Sequence, residues 1–436
     1  SMNGIILADS LVMMYIFWEL VGLSSFLLIG FWFEKSRPPL AANKAFLTNR
    51  VGDIGMFIGM LLIFFIVGTF SINGISEAVA GGAQAAVAGG FTTVACMANT
   101  NPVNDNGTVT RFIIEQARLA GLARVFPIGA LSKGLKGEEL AEIGEMVDEG
   151  AVAISDDGRP IMDANLMRRA LEYCSMFGVP ISVHEEDVNL SAEGSMNEGP
   201  TALRLGLRGV PSVAEEVMVA RDIALARLTG GRVHIAHVST LRAVELVRQA
   251  KAEGVAVTAE VAPHHFTLTE ECVEGYNTNA KMSPPLRLAE DVEAMKYGLR
   301  DGTIDAIATD HAPHRRDEKE IEFDQAAHGI TGLETALALT LNLVREGVLS
   351  MSEAVGKLTV NPARILGLPY GTLSVGMPAD LTVFDPEAMW LVDPFLSRSR
   401  GQNTPFAGWE LKGQTRLTMV GGRIVYDSEK QEVGAA

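Results

Sequence analysis

The chain has 436 residues, which is enough for two or three domains or for one large barrel with an appended domain. Its net charge of −17 argues against nucleic acid as a partner, because phosphate binding requires a basic surface. Its three cysteines are too few and too scattered for a disulfide framework or a cysteine-type zinc site, and they indicate a reducing compartment.

Two apolar runs dominate the first seventy residues. Residues 11–33 contain one charge, Glu19, and as a helix would rise about 35 Å, enough to cross a bilayer core of about 30 Å. The run at 54–70 is near the lower length limit for a span. The linker between the runs holds four basic residues, which favours the cytoplasmic side. We therefore expect two transmembrane helices within residues 1–78; the alternative is two buried core helices.

A carboxylate inside an apolar span is costly, so Glu19 suggests proton handling or a buried ion pair. The stretches "YIFWELVGLSSFLLIGFWFEK" and "PPLAANKAFLTNRVGDIG" resemble the antiporter-like, proton-pumping L subunit of respiratory NADH–quinone oxidoreductase over about residues 1–78. The resemblance implies that Glu19 matches that family's proton-pathway glutamate. Two helices cannot form a proton channel, so we expect no pumping. If residues 1–70 insert, they would anchor the chain in a membrane.

From about residue 82, short β-branched runs alternate with amphipathic segments. Seven runs predict strands, at residues 92–97, 123–131, 151–155, 180–186, 232–238, 255–261 and 305–310. Seven β–α repeats predict an α/β fold, a TIM-type (β/α)8 barrel that needs an eighth strand for closure. The barrel is assigned to residues 79–365. Residues 366–436 contain two predicted β-hairpins and are assigned to part of a small β domain.

Polar residues stand at the carboxyl ends of the predicted strands, namely Asn99, Asp157, His184, His237 and Asp310. In a parallel barrel this rim carries the chemistry. A lone histidine at a strand end is more often structural. Two histidines on consecutive strands, flanked by two aspartates, instead favour a divalent metal site, usually zinc.

The motifs "SDDGRPI", "SVHEED", "HIAHVST", "KMSPPLR" and "ATDHAPH" resemble dihydroorotase, of the amidohydrolase superfamily, in a match from about residue 80 to 430. That resemblance implies a cytoplasmic metal-dependent hydrolase with a one- or two-zinc centre. Its reaction would be reversible hydrolysis of the ring amide of dihydroorotate to N-carbamoyl-aspartate, in pyrimidine biosynthesis. The implied protein partners are a second copy of the chain or aspartate carbamoyltransferase.

The resemblance also implies roles for single residues. Asp157 would be a metal-bridging carboxylate, and His184 and His237 would be ligands of one zinc. Asp310 would be both a ligand and the general base, which takes a proton from zinc-bound water and returns it to the leaving nitrogen.

Four further positions resemble substrate contacts: Asn99, Ser283, His314 and the backbone around Gly329. Ser283 stands where many members of the family have an asparagine that contacts the pyrimidine ring. Serine keeps a donor and an acceptor but has a shorter reach.

The first barrel strand departs from the family pattern. The family has a His-x-His pair there, followed by an arginine that binds the substrate carboxylate, and by register the pair should lie near residues 65–69. No histidine precedes His184, and no lysine or arginine lies between Arg50 and Arg111. The barrel therefore lacks its native first strand, although "IFFIV" at 63–67 could fill the slot without restoring ligands. We expect activity to be very weak or absent.

The remaining histidines need no special role. His234 and His311 are expected to pack near the metal strands. His264 and His265, in "APHHFTLT", either line the cavity or are structural. Asp156 is expected to cap a loop.

Three hypotheses follow. The first is a dihydroorotase-family domain fused near residues 79–82 to a respiratory-subunit fragment, by gene rearrangement or assembly error. The second is a non-catalytic partner of aspartate carbamoyltransferase, which the retained metal-type residues disfavour. The third, a membrane energy-transduction component, rests on residues 1–78 alone. Hydantoinase and allantoinase are near relatives, but they generally use a carboxylated lysine where "ISDDGRPI" offers an aspartate.

Overall fold

The fold is described from a computed structural model of the chain. The described residues are 74–192, 194–430 and 432–433, together with the isolated positions Ile16 and Leu23. Apart from those two positions, the predicted spans, Glu19 and the candidate strand at 63–67 lie outside the described residues. Within the described residues, no helix is both long and apolar enough to cross a bilayer. The chain divides into two compact units, residues 1–78 with 100–102 and residues 79–99 with 103–436.

Strands and helices alternate along the larger unit. The strands are β1 Thr93–Cys96, β2 Arg124–Pro127, β3 Gly129–Ala130, β4 Ile154–Ser155, β5 Ile181–Val183, β6 Met196–Asn197, β7 Gly209–Val210, β8 Val233–Ile235, β9 Val257–Val261, β10 Ala306–Ile307, β11 Leu381–Leu391, β12 Glu410–Val420, β13 Arg423–Asp427 and β14 Glu432–Val433. The helices are α1 Gly74–Ala88, α2 Gly107–Ala120, α3 Ile143–Asp148, α4 Ala164–Phe177, α5 Val188–Ser191, α6 Pro200–Leu205, α7 Val213–Thr229, α8 Leu241–Ala252, α9 Ala289–Asp301, α10 Arg316–Lys319, α11 Ala336–Arg345, α12 Met351–Leu358 and α13 Val360–Ile365.

Parallel strands form the core of this unit, and all seven predicted strands occur. A six-stranded sheet has the order β10-β9-β8-β5-β4-β3, and β1 pairs with β2 beside it. The predicted strand at 123–131 changes partner at Ile128. The N–H of Ile128 donates to the carbonyl of Cys96 at 2.9 Å, whereas the N–H of Gly129 donates to that of Ala153 at 3.0 Å. The result is an arc with the predicted TIM-type α/β architecture. Among the described residues, β1 and β10 each pair with one neighbour.

Several strands end earlier than the sequence pattern predicts, and two of them lead to candidate site residues. The expected strand at 232–238 stops at Ile235, and the one at 305–310 stops at Ile307. Beyond these ends, His237 has φ +32° and Asp310 has φ +45°. Residues with a side chain rarely adopt positive φ, and an extended strand cannot continue through it. The strands therefore end where these two side chains turn toward the rim.

A buried polar network centred on Arg287 holds the excursion between β5 and β8 in place. Arg287 is 3% exposed. Its Nη1 donates to Oδ1 of Asn197 at 2.8 Å, and its Nε donates to Oγ of Ser239 at 3.1 Å. Its Nη2 lies 3.5 Å from Oε2 of the buried Glu215. One cation thus joins β6, the loop after β8 and the start of α7.

The C-terminal strands form a four-stranded antiparallel sheet in the order β11-β12-β13-β14. The hairpin predicted from "RLTMVGGRIVYD" is confirmed: Gly421 and Gly422, with φ +58° and +79°, connect β12 to β13. The hairpin predicted within 367–387 is wrong. Gly371 and Gly376 have φ +85° and +90°, which interrupts extended backbone, and the strand that follows pairs with β12 instead.

The C-terminal sheet packs against the beginning of the larger unit. Thr418 donates its hydroxyl to the carbonyl of Val87 at 2.7 Å, and Thr382 donates to that of Gly90 at 2.6 Å. Arg124 forms an ion pair with Asp380 at 2.7 Å. The end of the chain therefore covers the segment that leads into β1.

At two glycines near the start of the unit, we expect substitution by alanine to have opposite effects on the stability of the fold. A Cβ at Gly89 would lie 2.2 Å from the carbonyl oxygen of Leu333, so Gly89→Ala should destabilise the fold by about 1–3 kcal/mol. A Cβ at Gly82, inside α1, meets nothing within 4 Å, so Gly82→Ala should stabilise it by up to about 1 kcal/mol. Urea unfolding midpoints measure both effects. Equal midpoints for the two variants would contradict the packing described at Gly89.

Candidate metal centre

Three side chains converge at the carboxyl ends of β4, β5 and β8. Nδ1 of His184 lies 3.1 Å from Nε2 of His237. Oδ1 of Asp157 lies 3.5 Å from Nε2 of His237 and 3.9 Å from Nδ1 of His184. Among the described residues, this is the one group of three His, Cys, Asp or Glu side chains whose donor atoms all lie within 4.8 Å of one another.

These donor atoms fit a divalent ion. Ligand atoms on a tetrahedral zinc ion with bonds of about 2.0–2.2 Å stand roughly 3.3–3.6 Å apart. The three observed separations scatter around that value, and both histidines are 4% exposed. Two imidazoles and a carboxylate are also the donor types that borderline divalent metals take. The cluster can therefore hold one such ion with little rearrangement.

Asp157 and His237 each stabilise the charged form of the other, which shifts both of their pKa values. Burial raises the pKa of Asp157, but the hydrogen bond from His237 and the charges of His237 and His184 outweigh it, leaving that pKa below its ordinary value. Burial lowers the pKa of His237, yet Asp157, Asp310 and Glu260 together raise it to about 9. A metal ion that binds here takes the place of the proton on His237.

Asp310 stands beside this cluster on the next part of the rim. Burial raises its pKa, the charge of His237 lowers it, and Asp157 raises it again, for a net increase. Its Oδ2 lies 3.8 Å from Nε2 of His264. Asp310 is not part of the set of mutually close donor atoms, so its role as ligand and general base stays a prediction.

The residues around Asp157 position the cluster. Nδ2 of Asn99 donates to Oδ2 of Asp157 at 3.3 Å, so this predicted substrate contact lies against the metal donors. Asp156 is buried and accepts the N–H of His184 at 3.0 Å and that of Ile161 at 2.9 Å. Asp156 thus caps its loop, as expected, and also fixes the backbone of a donor histidine.

Glu186 is a site residue that the sequence analysis missed. Its Oε2 lies 3.1 Å from Nε2 of His184 and accepts the hydroxyl of Ser283 at 3.1 Å. Burial raises the pKa of Glu186, but hydrogen bonds from His184, Ser191 and Ser283 lower it to about 2. Such a carboxylate fixes the tautomer and orientation of a ligand imidazole. The available signal was the pair of carboxylates directly after the histidine in "SVHEED".

The predicted contacts His314 and Gly329 are neighbours. Nε2 of His314 lies 2.7 Å from the carbonyl of His328. Gly329 has φ +117°, and a Cβ there would stand 2.5 Å from Cβ of Ala312 and 3.4 Å from Nε2 of His314. Only glycine fits this close approach. Substrate binding by His314 and by the backbone at Gly329 stays a prediction.

A buried lysine that no sequence pattern indicated holds this loop. Lys319 is 4% exposed, and its Nζ donates to the carbonyls of Ala327 at 2.7 Å and Gly329 at 3.1 Å. Burial and the nearby charge of Lys281 lower the pKa of Lys319 to about 8. At neutral pH the ammonium group still carries three donors for the loop carbonyls.

Three of the other histidines have distinct surroundings. His234 binds Thr258 at 2.8 Å and Glu260 at 3.0 Å, which makes it structural. His311 accepts the N–H of Gly332 at 3.1 Å and is structural as well. His264 is buried, and its Nε2 has no hydrogen-bond partner among the described residues.

Comparison with known families gives two matches. The amidohydrolase family matches residues 59–425, which is most of the chain. A family described as NADH:quinone oxidoreductase/Mrp antiporter, transmembrane, matches residues 8–101. The two matches overlap around the segment where the sequence changes character.

Solved structures share the fold. An L-hydantoinase (dihydropyrimidinase) from Arthrobacter aurescens superposes with a TM-score of 0.72 at 29% identity, covering 81% of this chain and 80% of that chain. A dihydropyrimidinase from Brevibacillus agri gives a TM-score of 0.71 at 22% identity, covering 82% and 81%. The second likeness bears on the fold alone.

Curated relatives are much closer in sequence. Dihydroorotase from Syntrophotalea carbinolica is 57% identical over 350 residues, covering 80% of this chain and 82% of the relative. Dihydroorotase from Anaeromyxobacter dehalogenans strain 2CP-1 is 58% identical over 358 residues, covering 82% and 83%. With this identity over four-fifths of its length, and with the metal-type cluster on the barrel rim, the chain belongs to the dihydroorotase family of amidohydrolases.

Proposed function

We propose that the chain is a zinc-dependent dihydroorotase whose centre is incomplete and whose turnover is therefore very low. The substrate would be dihydroorotate and the product N-carbamoyl-aspartate. The observation that carries the proposal is the converged set Asp157, His184 and His237, in a chain that has no histidine before His184.

The retained residues support this chemistry. Asp157, His184 and His237 would hold the ion, and a bound zinc ion supplies a hydroxide nucleophile near neutral pH. Asp310, whose pKa is raised by burial, would accept the proton and return it to the leaving ring nitrogen. Glu186 would keep the His184 ring oriented.

The missing residues explain the low turnover. The family's His-x-His pair and its carboxylate-binding arginine have no counterpart between Arg50 and Arg111. An arginine that pairs with a buried carboxylate typically contributes about 2–5 kcal/mol to recognition. Its loss alone would lower catalytic efficiency by about 30- to 5,000-fold.

Hydrolysis of dihydroorotate by the purified, zinc-supplemented full-length chain tests the proposal. We expect turnover far below the usual enzymatic range of about 1–10³ s⁻¹. The Asp310→Ala variant is the control, and hydantoin is the alternative substrate. Ordinary turnover that vanishes in Asp310→Ala would show that the surviving residues suffice. Hydrolysis of hydantoin but not dihydroorotate would instead assign the domain to the hydantoinases.

We also propose that residues 1–78 derive from a respiratory-subunit gene joined to the enzyme near residues 79–82. The family match to residues 8–101 and the lack of a Pro/Ser-rich linker at the boundary support this origin. A single amplicon spanning the boundary should fail to form from source DNA if the join is an assembly error. An intact product would rule out an assembly error, leave gene rearrangement as the source of the join, and make membrane anchoring worth testing.

A further inference from the structure

His264 presents an unpaired nitrogen next to the candidate metal centre. It lies in a single 3₁₀ turn, Pro263–Phe266, at the carboxyl end of β9, and it is 1% exposed. Its Nε2 has no hydrogen-bond partner among the described residues. A buried polar atom without a partner costs about 1–3 kcal/mol, so its presence in a folded site requires an explanation.

Asp310 faces this nitrogen. Its Oδ2 lies 3.8 Å from Nε2 of His264, which is too far for a direct hydrogen bond. Two donors on one ion, each bonded at about 2.0–2.2 Å, stand roughly 3.3–3.6 Å apart in a tetrahedral site, and a separation of 3.8 Å corresponds to a bond angle of about 130°. The observed separation therefore suits two ligands of a shared ion better than it suits a hydrogen bond between them.

The position of this pair agrees with the gap in the sequence. Oδ2 of Asp310 lies 3.8 Å from Nε2 of His264, and the charges of His237 and His184 also act on this carboxylate. No histidine precedes His184 in the chain, so the family's His-x-His pair cannot supply a ligand here. We propose that His264 and Asp310 form a second metal position beside the Asp157–His184–His237 cluster, in place of the missing His-x-His pair. With two protein ligands rather than three, this position binds its ion more weakly and completes its coordination with water.

The inference rests on the proposed function in one respect, since it takes the three-residue cluster to be the tight metal site. A titration with cobalt(II) separates the two. The full-length chain, stripped with a chelator and dialysed, is titrated while visible absorbance and calorimetric heat are recorded. We expect two cobalt ions per chain, one tight and one weaker.

The variants assign each phase. His264→Gln should remove the weaker phase or weaken it at least about tenfold while leaving the tight phase intact. Asp310→Asn should do the same, and combining the two should add nothing further. His237→Gln should remove the tight phase. If His264→Gln does not fold, as judged by circular dichroism, Asp310→Asn still tests the second position, because Asp310 is partly exposed.

The outcomes are distinguishable. Two unchanged phases in His264→Gln, or in Asp310→Asn, would overturn the inference. One tight cobalt ion in the parent chain would overturn the second position and leave the proposed function intact. No cobalt bound by the folded parent chain would refute the tight metal site and the second position together.

Discussion

Substitution of His237 by glutamine is expected to abolish tight zinc binding, lowering the affinity by at least about 100-fold. The reason is geometric: Nε2 of His237 lies 3.1 Å from Nδ1 of His184 and 3.5 Å from Oδ1 of Asp157, so it is central to the three donors. Loss of a group that only orients a ligand already costs about 10- to 100-fold in affinity. Loss of the ligand itself removes a metal bond.

Competition against a chelating dye measures this effect. Glu186→Gln provides a graded comparison, because Glu186 contacts Nε2 of His184. This substitution should lower the affinity for zinc by about 10- to 100-fold. His234→Gln is the matched control: His234 lies in β8, which leads to His237, but its ring binds Thr258 and Glu260. Zinc affinity in His237→Gln equal to that of His234→Gln would rule out the assigned ligand set.

Replacement of Arg287 by methionine is expected to lower the free energy of unfolding by about 3–5 kcal/mol. Arg287 and Glu215 are 3% and 2% exposed, so the substitution leaves a carboxylate buried without its cation. The N–H groups of Ser239 and Thr240 still donate to Glu215, at 2.9 and 3.2 Å. They do not neutralise its charge, which is why the loss is large.

An exposed ion pair supplies the control for this prediction. Arg227 pairs with Glu253, and their side chains are 53% and 41% exposed, so Arg227→Met should change stability by no more than about 1 kcal/mol. Adding Glu215→Gln to Arg287→Met should recover part of the loss by removing the buried charge. Urea unfolding compares all four proteins. A midpoint for Arg287→Met equal to that of Arg227→Met would mean that the network does not stabilise the fold.

The sequence predicted the strand positions well, because β-branched runs identify buried parallel strands without knowledge of their partners. It predicted the strand ends poorly. The pattern of β8 and β10 runs on into His237 and Asp310, whereas the positive φ of these two residues stops the strands earlier. The backbone conformation that presents a rim side chain has no signature in hydrophobic periodicity.

The candidate site was predictable where a single strand end supplies the residue, as for His184 and Asp157. The missed residues act through tertiary contacts. Glu186 is 97 positions from Ser283, which was predicted only as a substrate contact, and Arg287 is 90 positions from Asn197. No local pattern links such pairs. The segment that contains β6 and β7 was missed for a different reason: each of these strands is two residues long, too short to show an alternating pattern.

The contacts of the C-terminal sheet fix an order of events during synthesis. Thr418 lies 331 positions after Val87, and Thr382 lies 292 positions after Gly90. At a translation rate of about 5–20 residues per second, the ribosome needs roughly 15–65 s to deliver Thr418 after Val87 has been made. Throughout that interval both carbonyls lack their threonine donors, although the carbonyl of Val87 can already accept the N–H of Gly90, at 3.2 Å in the folded chain. The segment leading into β1 is thus among the first parts of the unit to be made and among the last to reach its native contacts.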